Sequence, residues 1–392
     1  MLPLSLLFRR FLKLGATAYG GPAIAGQMKK MVVKDLGWVK EPEFMRGMAL
    51  CQLIPGATFV QLSTYIGYRL RGIWGAFISA IAFVLPAFIL LLILSTVHFK
   101  LGDLWFIQSL FKGLGAIVVA IVLNAFINFG KPILREWKAV LIALLSFAGF
   151  LFQLNTVLVF IGAGVLALLL RPTIIGKIGP ISSPQGADET AKKKGDNLFL
   201  GVLAAFIGAI FVICHLLNIQ LSYLALTLSK VGALAFGGGF TIIPLIQYEV
   251  VDKFHWVSTK EFLDGIAMGQ VTPGPIMITA TFLGYNLAGF WGAAMATLAI
   301  FAPAFFIVTL LIPRYDKLRG MITVRIIEQG ILASFVGMLG LVLYNFGRAT
   351  FVDIPSVIFT AVAFISLLQK IELSYILLAG ATSSILIFGF LY

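Results

Sequence analysis

Four breaks rich in glycine and proline interrupt apolar segments of the chain, and they form two matching pairs. The first pair is AYGGPA (18–23) and LAFGGGF (234–240), and the second is QLIPGA (52–57) and QVTPGP (270–275). Each glycine costs a helix about 1 kcal/mol relative to alanine. A break also exposes backbone N–H groups at the start of the following half-helix, where the helix dipole supplies about half a positive charge. The pattern therefore predicts a binding site for a small oxyanion.

Prolines, amides, hydroxyls and two lysines complete this candidate site. The prolines suit the first turn of each half-helix, where a missing N–H group carries no penalty. Lys13 and Lys230 occupy equivalent positions, each about nine residues, or about 14 Å of helix rise, into its segment. An intramembrane lysine costs about 2.5–3.5 kcal/mol on insertion scales, which favours a functional role. The predicted substrate-binding residues are Lys13, Gly20, Gly21, Gln52, Pro55, Gly56, Thr58, Lys230, Gly237, Gly238, Gly239, Gln270, Thr272, Pro273 and Gly274.

These features also have a purely structural interpretation. Small residues allow membrane helices to pack closely, so the glycines alone are typical of helix packing. Lys13 can extend to the lipid headgroups together with its neighbours Arg9 and Arg10. The binding site is favoured over simple helix packing because the breaks occur in pairs, next to Gln-x-x-Pro-Gly motifs that are also paired.

Three carboxylates are candidates for coupling transport to an ion gradient: Glu43, Glu261 and Asp264. Glu43 and Glu261 also suit helix starts at the membrane edge. Asp264 is matched by Arg46 in the first half of the chain, so the sign of the charge differs between the two positions. A proton-coupling role and a plain salt bridge both remain open for Asp264.

The amino-acid composition indicates that the chain is an integral membrane protein. Of its 392 residues, 60% are hydrophobic and 11% are charged, whereas soluble domains carry about 25% charged residues. Apolar runs of about 20 residues recur along the chain, and each is long enough to cross a ~30 Å hydrocarbon core. Because backbone groups in lipid must be satisfied internally, and because the runs do not alternate, we predict an all-α polytopic helical bundle.

The sequence lacks the motifs that are typical of several other classes of protein. Cys51 and Cys214 form no CxxC pair and the three histidines lie far apart, so we expect no metal and no cofactor. The sequence has no GxxxxGK[ST] motif for ATP phosphates and no catalytic His/Cys/Ser constellation, which argues against an ATP-driven pump and an enzyme. The net charge of +13 is typical of cytoplasmic loops of a membrane protein, so no nucleic acid is expected as a partner.

The chain contains two copies of one unit, offset by about 217 residues. GMALCQLIPGA (47–57) matches GIAMGQVTPGP (265–275), and TYIGYRLRGIWGA (64–76) matches TFLGYNLAGFWGA (281–293). Shared apolar composition would not place the same Gln, Pro and Trp residues in register. We therefore predict a first repeat over 1–170, a cytoplasmic linker over 171–197, an extra transmembrane helix over 198–220 and a second repeat over 221–392.

The charge distribution predicts that the second repeat is inverted. About six apolar segments return the first copy to its starting side, and the extra helix then turns the second copy over. Basic residues cluster at 69–71, 131–138 and 171–194 in the first half but at 314–325 in the second, as inverted repeats require. One loop disagrees, because 26–46 carries five basic residues on the expected outside. Segments 4–25 and 221–246 therefore have two interpretations. Each is either a helix that crosses the membrane fully or a broken or re-entrant helix.

The duplicated motifs resemble those of the chromate ion transporter family in its two-domain, long-chain form. They read FLKLGATAYGG, QLIPG and GYRLRGIWGA in the first copy, then LSKVGALAFGG, QVTPG and GYNLAGFWGA in the second. Leu228 stands in the second copy where the first has Phe11. The resemblance implies an all-helical bundle of two oppositely oriented halves, export of chromate and energisation by the proton gradient. Sulfate is a similar tetrahedral dianion that backbone N–H groups would hardly distinguish from chromate.

The inverted repeats and the resemblance together predict a secondary transporter of the inner (plasma) membrane that works by alternating access. Its expected partners are a chromate or sulfate-like oxyanion and the lipid bilayer. Oligomeric state is left open, and a homodimer is compatible with the sequence. The alternatives are an uncoupled anion channel, a sulfate transporter and a membrane scaffold that transports nothing.

Overall fold

The computed structural model describes residues 2–19, 21–102, 104–170, 194–217, 219–235, 241–312 and 322–390. Within these ranges all regular structure is helical, which confirms the predicted all-α class. The helices of the first repeat are α1 (Leu4–Thr17), α2 (Gly21–Lys29), the π-helix π1 (Lys30–Asp35), α3 (Glu41–Leu53), α4 (Thr58–Leu101), α5 (Trp105–Ile133), α6 (Trp137–Leu151) and α7 (Thr156–Leu170).

The second repeat has the same order of helices. It is preceded by α8 (Lys194–Leu217), and most of the linker before α8 lies outside the described residues. The helices that follow are α9 (Ile219–Leu234), α10 (Ile242–Ile246), the π-helix π2 (Gln247–Lys253), α11 (Thr259–Val271), the 3-10 helix Ile276–Ile278, α12 (Thr279–Leu311), α13 (Ile322–Thr350), α14 (Ile354–Leu368) and α15 (Leu373–Phe390).

Among the described residues, four helices are long and apolar enough to cross a membrane: Thr58–Leu101, Trp105–Ile133, Ile276–Leu311 and Thr323–Thr350. Two of them contain a sharp reversal. In α4 the backbone leaves the helical region at Arg71 and Gly72, and a Cβ on Gly67 would lie 2.2 Å from the carbonyl oxygen of Gly75. The same break occurs at Ala288 and Gly289 in α12. Each is therefore two helices, which we call α4a (58–70) and α4b (73–101), and α12a (279–287) and α12b (290–311).

Helices α3 and α4a form an antiparallel hairpin whose tip is the break at 54–57. Arg69 forms an ion pair with Glu43, and a Cβ on Gly47 would lie 2.4 Å from the ring of Tyr65. Both pairs are nearly symmetric about the tip, as only an antiparallel arrangement allows. Residues 45–66 form a nearly continuous apolar run in the sequence but belong to two antiparallel helices, because an apolar run carries no information about the direction of the chain after a break.

Helices α1 and α4b run in the same direction. Gly15 of α1 packs against the carbonyl group of Phe83, and a Cβ on Gly274 would lie 3.0 Å from Cβ of Ala87, one turn further along α4b. The same Gly274 bonds to Ala18, one turn beyond Gly15. Since α4b begins at the open end of the α3–α4a hairpin, the chain must turn back after α1. The short helices α2 and π1 make that return.

The described helices fall into two compact units, and each unit contains parts of both repeats. Unit 1 consists of Met1–Phe99, Pro184–Ile242 and Met268–Asp316, and unit 2 of Lys100–Ser183, Ile243–Ala267 and Lys317–Tyr392. Within unit 2, α5 of the first repeat packs on α14 and α15 of the second, while α13 of the second packs on α6 and α7 of the first. Each repeat therefore completes the core of the other.

Candidate functional site

Within unit 1 the breaks meet as two pairs, and each pair joins one repeat to the other. The amide of Gly56, at the tip of the hairpin, donates to the carbonyl oxygen of Ala235 at 2.6 Å. The amide of Gly274 donates to the carbonyl oxygen of Ala18 at 2.8 Å. Gly56 is equivalent to Gly274 in the duplication, and Ala18 to Ala235. Such a reciprocal exchange is what a two-fold relation between the repeats produces.

Glycine is required where the helices beside these bonds touch. A Cβ on Gly15 would lie 2.2 Å from the carbonyl oxygen of Phe83, and a Cβ on Gly232 would lie 2.2 Å from that of Ile300. These two contacts are again equivalent in the duplication. They bring α1 against α4b, and α9 against α12b, at a distance that no side chain permits.

The two hairpin tips share an unusual backbone conformation. Gly56 has φ +129° and Gly274 has φ +110°, a region that only glycine adopts readily. A side chain from the following helix closes the first tip, where Gln61 Nε2 donates to the carbonyl oxygen of Pro55 at 2.6 Å. After the second tip, Thr279 Oγ1 donates to the carbonyl oxygen of Ile276, in the 3-10 helix, at 3.0 Å.

The prolines lie inside the breaks and not in the first turns of the following helices, so that prediction was wrong. Pro55 precedes the start of α4 at Thr58, and Pro273 precedes the 3-10 helix, with Pro275 as the residue directly before it. The reason is the glycine in between, whose positive φ must be accommodated before a helix can begin.

Helix starts converge at these bonds. Helix α2 begins at Gly21, close to Ala18, and the 3-10 helix begins at Ile276, close to Gly274. The first N–H groups of a helix have no partner inside it and carry the positive end of the dipole. Because the amides of Gly56 and Gly274 are already bonded, the donors that an anion could use are those of the following helix starts.

The polar side chains of the predicted site differ between the repeats. Gln270 is only 6% exposed, and its Nε2 atom has no hydrogen-bond partner among the described residues. Its equivalent Gln52 is exposed. Thr58 is buried at the first residue of α4, whereas the hydroxyl of Thr272 is bonded to the carbonyl oxygen of Met268 at 2.8 Å. Of the two equivalent glutamines, only Gln270 of the second repeat is therefore a buried amide donor beside its hairpin tip.

The lysines and glycines of the prediction also occupy defined places. Lys13 is exposed on α1, and Lys230 is half-buried on α9, so the equivalent lysines have different surroundings. Gly21 is the first residue of α2. Four further predicted glycines lie outside the described residues: Gly20, Gly237, Gly238 and Gly239.

The three candidate coupling carboxylates have different structural roles. Glu43 is in an ion pair with Arg69 across the hairpin. Glu261 forms a capping box with Ser258, accepting from its backbone N–H at 2.7 Å while the hydroxyl of Ser258 accepts from the amide of Glu261 at 3.2 Å. Asp264 is 6% exposed and lies in the interior of α11. Stabilising contacts thus account for the first two carboxylates, whereas Asp264 is distinguished by its burial.

Asp264 lines a cavity of about 580 Å³ inside unit 2. Lys260 and Lys112 line the same cavity, and Lys112 is in an ion pair with Asp353. Thr350 also lines it, and the buried hydroxyl of Thr350 has no hydrogen-bond partner among the described residues. A buried carboxylate beside lysines in a cavity of this size has room for water and can exchange a proton.

Sequence reasoning missed two polar residues. Gln61 is fully buried and closes the first tip, and its Oε1 atom has no partner among the described residues. Glu249 is fully buried on π2. The available signal was a lone polar residue within or next to an apolar run, which is costly unless it is paired.

The family to which the chain belongs follows from its match to known proteins. The model of the chromate transporter family matches residues 5–168 and 222–385, one stretch for each repeat, which confirms the duplication. The chain belongs to the chromate transporter family. It is therefore a multi-pass membrane protein of a transporter family, and its relatives are named as transporters rather than as enzymes.

Individual relatives resemble the chain along most of its length. An uncharacterised transporter of Methanocaldococcus jannaschii is 35% identical, covering 97% of this chain and 94% of the relative. A probable chromate transport protein of Synechococcus elongatus is 31% identical, covering 93% and 89%. The chromate transport protein of Cupriavidus metallidurans is 30% identical, covering 95% and 90%. No solved structure matches the chain.

Proposed function

We propose that this protein is a secondary active transporter that exports a tetrahedral oxyanion, chromate or a sulfate-like dianion, across the cytoplasmic membrane. The observation that supports this most is the reciprocal bonding of Gly56 to Ala235 and of Gly274 to Ala18. It gathers helix starts from both repeats in one unit, and helix starts bind anions. A two-fold arrangement of that kind also suits alternating access, in which one site opens in turn to each side of the membrane.

The oxyanion binds to the N–H groups that follow the tips, to the amide of Gln270 and to the ammonium group of Lys230. Gln270 carries a buried donor without a partner among the described residues, which an oxyanion oxygen would satisfy. Lys230 supplies charge from a half-buried position on the helix that leads into the break. Lys13 is the weaker equivalent, because it is exposed on α1, whereas Lys230 is half-buried on α9.

The two repeats are inserted in opposite orientations. If α1–α2–π1 and α3–α4a each enter the membrane and return, the basic loops 26–46 and 69–71 of the first copy share one side, which is then the cytoplasm. With this arrangement the basic loop 26–46 is cytoplasmic, in agreement with the positive-inside rule. Four helices of the first copy are then left to cross the membrane: α4b, α5, α6 and α7. Because four is an even number, the chain returns to the cytoplasmic side, and the additional helix α8 gives the second copy the opposite orientation.

Cysteine labelling tests this orientation. In a variant without Cys51 and Cys214, we expect Lys40→Cys to react with a membrane-impermeant maleimide only from the cytoplasmic side. Lys260→Cys, at the equivalent end of the second hairpin, is expected to react only from outside. Both positions are exposed. Labelling of both from the same side would show parallel repeats.

Transport is coupled to the proton gradient, with Asp264 as the coupling carboxylate. Asp264 is buried in the interior of α11 and lines a cavity together with Lys260. We expect Asp264→Asn to retain oxyanion exchange at equal pH but to lose accumulation driven by a pH gradient. Glu261→Gln is the control, since its carboxylate is part of a capping box, and it should keep both activities.

Reconstituted vesicles test the proposed function as a whole. They would be loaded with chromate or sulfate, and protein-dependent flux would be followed with and without a pH gradient. We expect protein-dependent oxyanion flux that a pH gradient drives against the concentration gradient. Flux that responds to no ion gradient would identify an uncoupled channel, and the absence of any protein-dependent flux would refute the transporter.

A further inference from the structure

An apolar groove of about 380 Å³ runs between α4b, α8 and α12b, inside unit 1. Its walls include Val84 and Phe88 of α4b, Leu203 of α8, and Leu298 and Phe301 of α12b. None of the residues predicted to bind the oxyanion lines it. Its volume falls within the range of about 300–1,000 Å³ that is typical of ligand sites. The groove therefore has room for a ligand that the oxyanion site does not account for.

The chemistry of the lining selects hydrocarbon as the ligand. Thr297 is the one polar residue among the side chains that line the groove. Its hydroxyl donates to the carbonyl oxygen of Ala293 at 2.7 Å and shares a hydrogen bond of 2.7 Å with the hydroxyl of Thr281. An oxyanion or a water molecule would lose its hydrogen bonds in such a place, whereas a hydrocarbon chain would lose none.

The additional helix α8 leaves the groove open to its surroundings. Leu203 and Ile207 are only half-buried, and Phe206 is 63% exposed, although all three line the groove. The other two walls belong to α4 and α12, which are long and apolar enough to cross a membrane. Because the groove opens along membrane-spanning helices, the hydrocarbon that it meets is that of the lipid acyl chains.

An aromatic cluster marks one end of the groove. The ring of Phe199, near the start of α8, lies 4.7 Å from that of Trp74 and 5.8 Å from that of Phe77, centroid to centroid. Phe77 in turn lies 6.1 Å from Phe305, in the last turns of α12b. Trp74 is 56% exposed, as is typical of tryptophan at the boundary between lipid and water. This end of the groove therefore lies at the level of the lipid headgroups.

Basic residues are found at the same end. Arg71 is half-buried at the reversal that precedes Trp74, and α8 begins at Lys194. The duplication provides a comparison, because the equivalent reversal at the start of α12b carries Ala288 in place of Arg71. Clusters of lysine and arginine beside membrane helices attract anionic headgroups. A negatively charged headgroup is therefore complementary to the Arg71 end.

We infer that the groove binds one acyl chain of an anionic phospholipid, whose phosphate group lies at the Arg71 end. The chain fills the space between α8 and the pair α4b and α12b. Because a ligand that binds only the folded state stabilises it, the lipid stabilises unit 1 against unfolding. Only the choice of leaflet rests on the proposed function: in the orientation proposed above, the Arg71 end is cytoplasmic. Lipid binding itself is independent of transport.

The test uses the full-length protein, stripped of lipid in detergent and then supplied with phosphatidylglycerol or with phosphatidylcholine of the same acyl chains. Native mass spectrometry counts the lipid that is retained, and the melting temperature reports its effect. We expect tighter binding and a larger rise in melting temperature with phosphatidylglycerol. Arg71→Gln should weaken phosphatidylglycerol binding about 5-fold, the effect of one basic residue near an anionic headgroup. Lys131→Gln, at an exposed position of unit 2, is the control and should bind as the wild type does.

A second pair of variants tests the groove itself. Ala294→Phe narrows it, and α12b should accommodate the ring, since the equivalent residue of α4b is Phe77. We expect this variant to lose most of its bound phosphatidylglycerol. Ala205→Phe is the matched control, because Ala205 is exposed on α8 and does not line the groove. The melting temperatures of the lipid-free variants show whether they are folded, and Arg71→Gln decides the question if Ala294→Phe is not.

Three results would overturn the inference. The first is equal retention of both lipids by the wild type, and the second is undiminished binding of phosphatidylglycerol by Arg71→Gln. The third is a dimer of the wild type that Ala294→Phe dissociates, since a second copy of the chain would then occupy the groove. A protein that binds phosphatidylglycerol as expected but shows no oxyanion flux in vesicles would refute the proposed function and leave the lipid site in place.

Discussion

Replacing Gly232 with alanine is expected to destabilise unit 1 and to abolish transport. The added Cβ would lie 2.2 Å from the carbonyl oxygen of Ile300, so α9 and α12b would have to separate. Overpacking of this kind typically costs about 1–3 kcal/mol. The separation also moves Ala235, which holds the tip at Gly56. We therefore expect a lower melting temperature in detergent, together with loss of oxyanion flux in vesicles.

The control for this prediction is a helical glycine with open space around it. Gly15→Ala, at the equivalent contact with Phe83, should reproduce the damage, whereas Gly26→Ala and Gly162→Ala meet no atom within 4 Å. Alanine favours a helix by about 1 kcal/mol over glycine, so these two variants should be as stable as the wild type or slightly more so. Equal melting temperatures for all four variants would show that the close approach of the helices is not required.

Replacing Lys230 with methionine is expected to weaken oxyanion binding by about 10- to 150-fold, the equivalent of about 1.5–3 kcal/mol for a hydrogen bond to a charged group. Methionine preserves the length of the side chain and suits a half-buried helix position, so the melting temperature should change little. Lys13→Met is expected to have a smaller effect, because Lys13 is exposed. Binding is measured by the displacement of labelled sulfate or by isothermal titration with chromate.

Lys131→Met is the control for the lysine variants, because Lys131 is exposed on the last turn of α5, outside the candidate site. It should bind oxyanion as the wild type does. If Lys230→Met also binds oxyanion normally, then Lys230 extends to the lipid headgroups, and the charge in the site has to come from the helix starts alone.

The duplication made much of the candidate site predictable. Because equivalent breaks recur in register, the sequence indicated that Gly56 and Gly274 act as a pair, and the structure pairs each of them with the other repeat. The choice of glycine at these positions is a local property of the backbone. Positive φ and close approach both require it, and both leave a visible mark in the sequence.

The direction of the chain was not predictable from the same patterns. The antiparallel contacts of Glu43 with Arg69 and of Gly47 with Tyr65 are long-range, and an apolar run carries no information about where the chain turns back. The exchange of helices between the repeats in unit 2 is equally invisible, since α5 and α13 have no local signal for their partners. Glu249 was overlooked because it lies just beyond the apolar segment that ends at 246.

The position of a bound oxyanion tests the central claim most directly. A crystal structure of the protein grown with chromate, with the anomalous signal of chromium used to locate the anion, would place the substrate without reference to any model of the site. We predict a chromium peak with chromate oxygens within hydrogen-bond distance of Gln270 Nε2 and of the N–H groups at the starts of α4 or of the 3-10 helix. A peak confined to the unit 2 cavity beside Asp264, or a fully loaded protein with no peak near the two tips, would contradict the account.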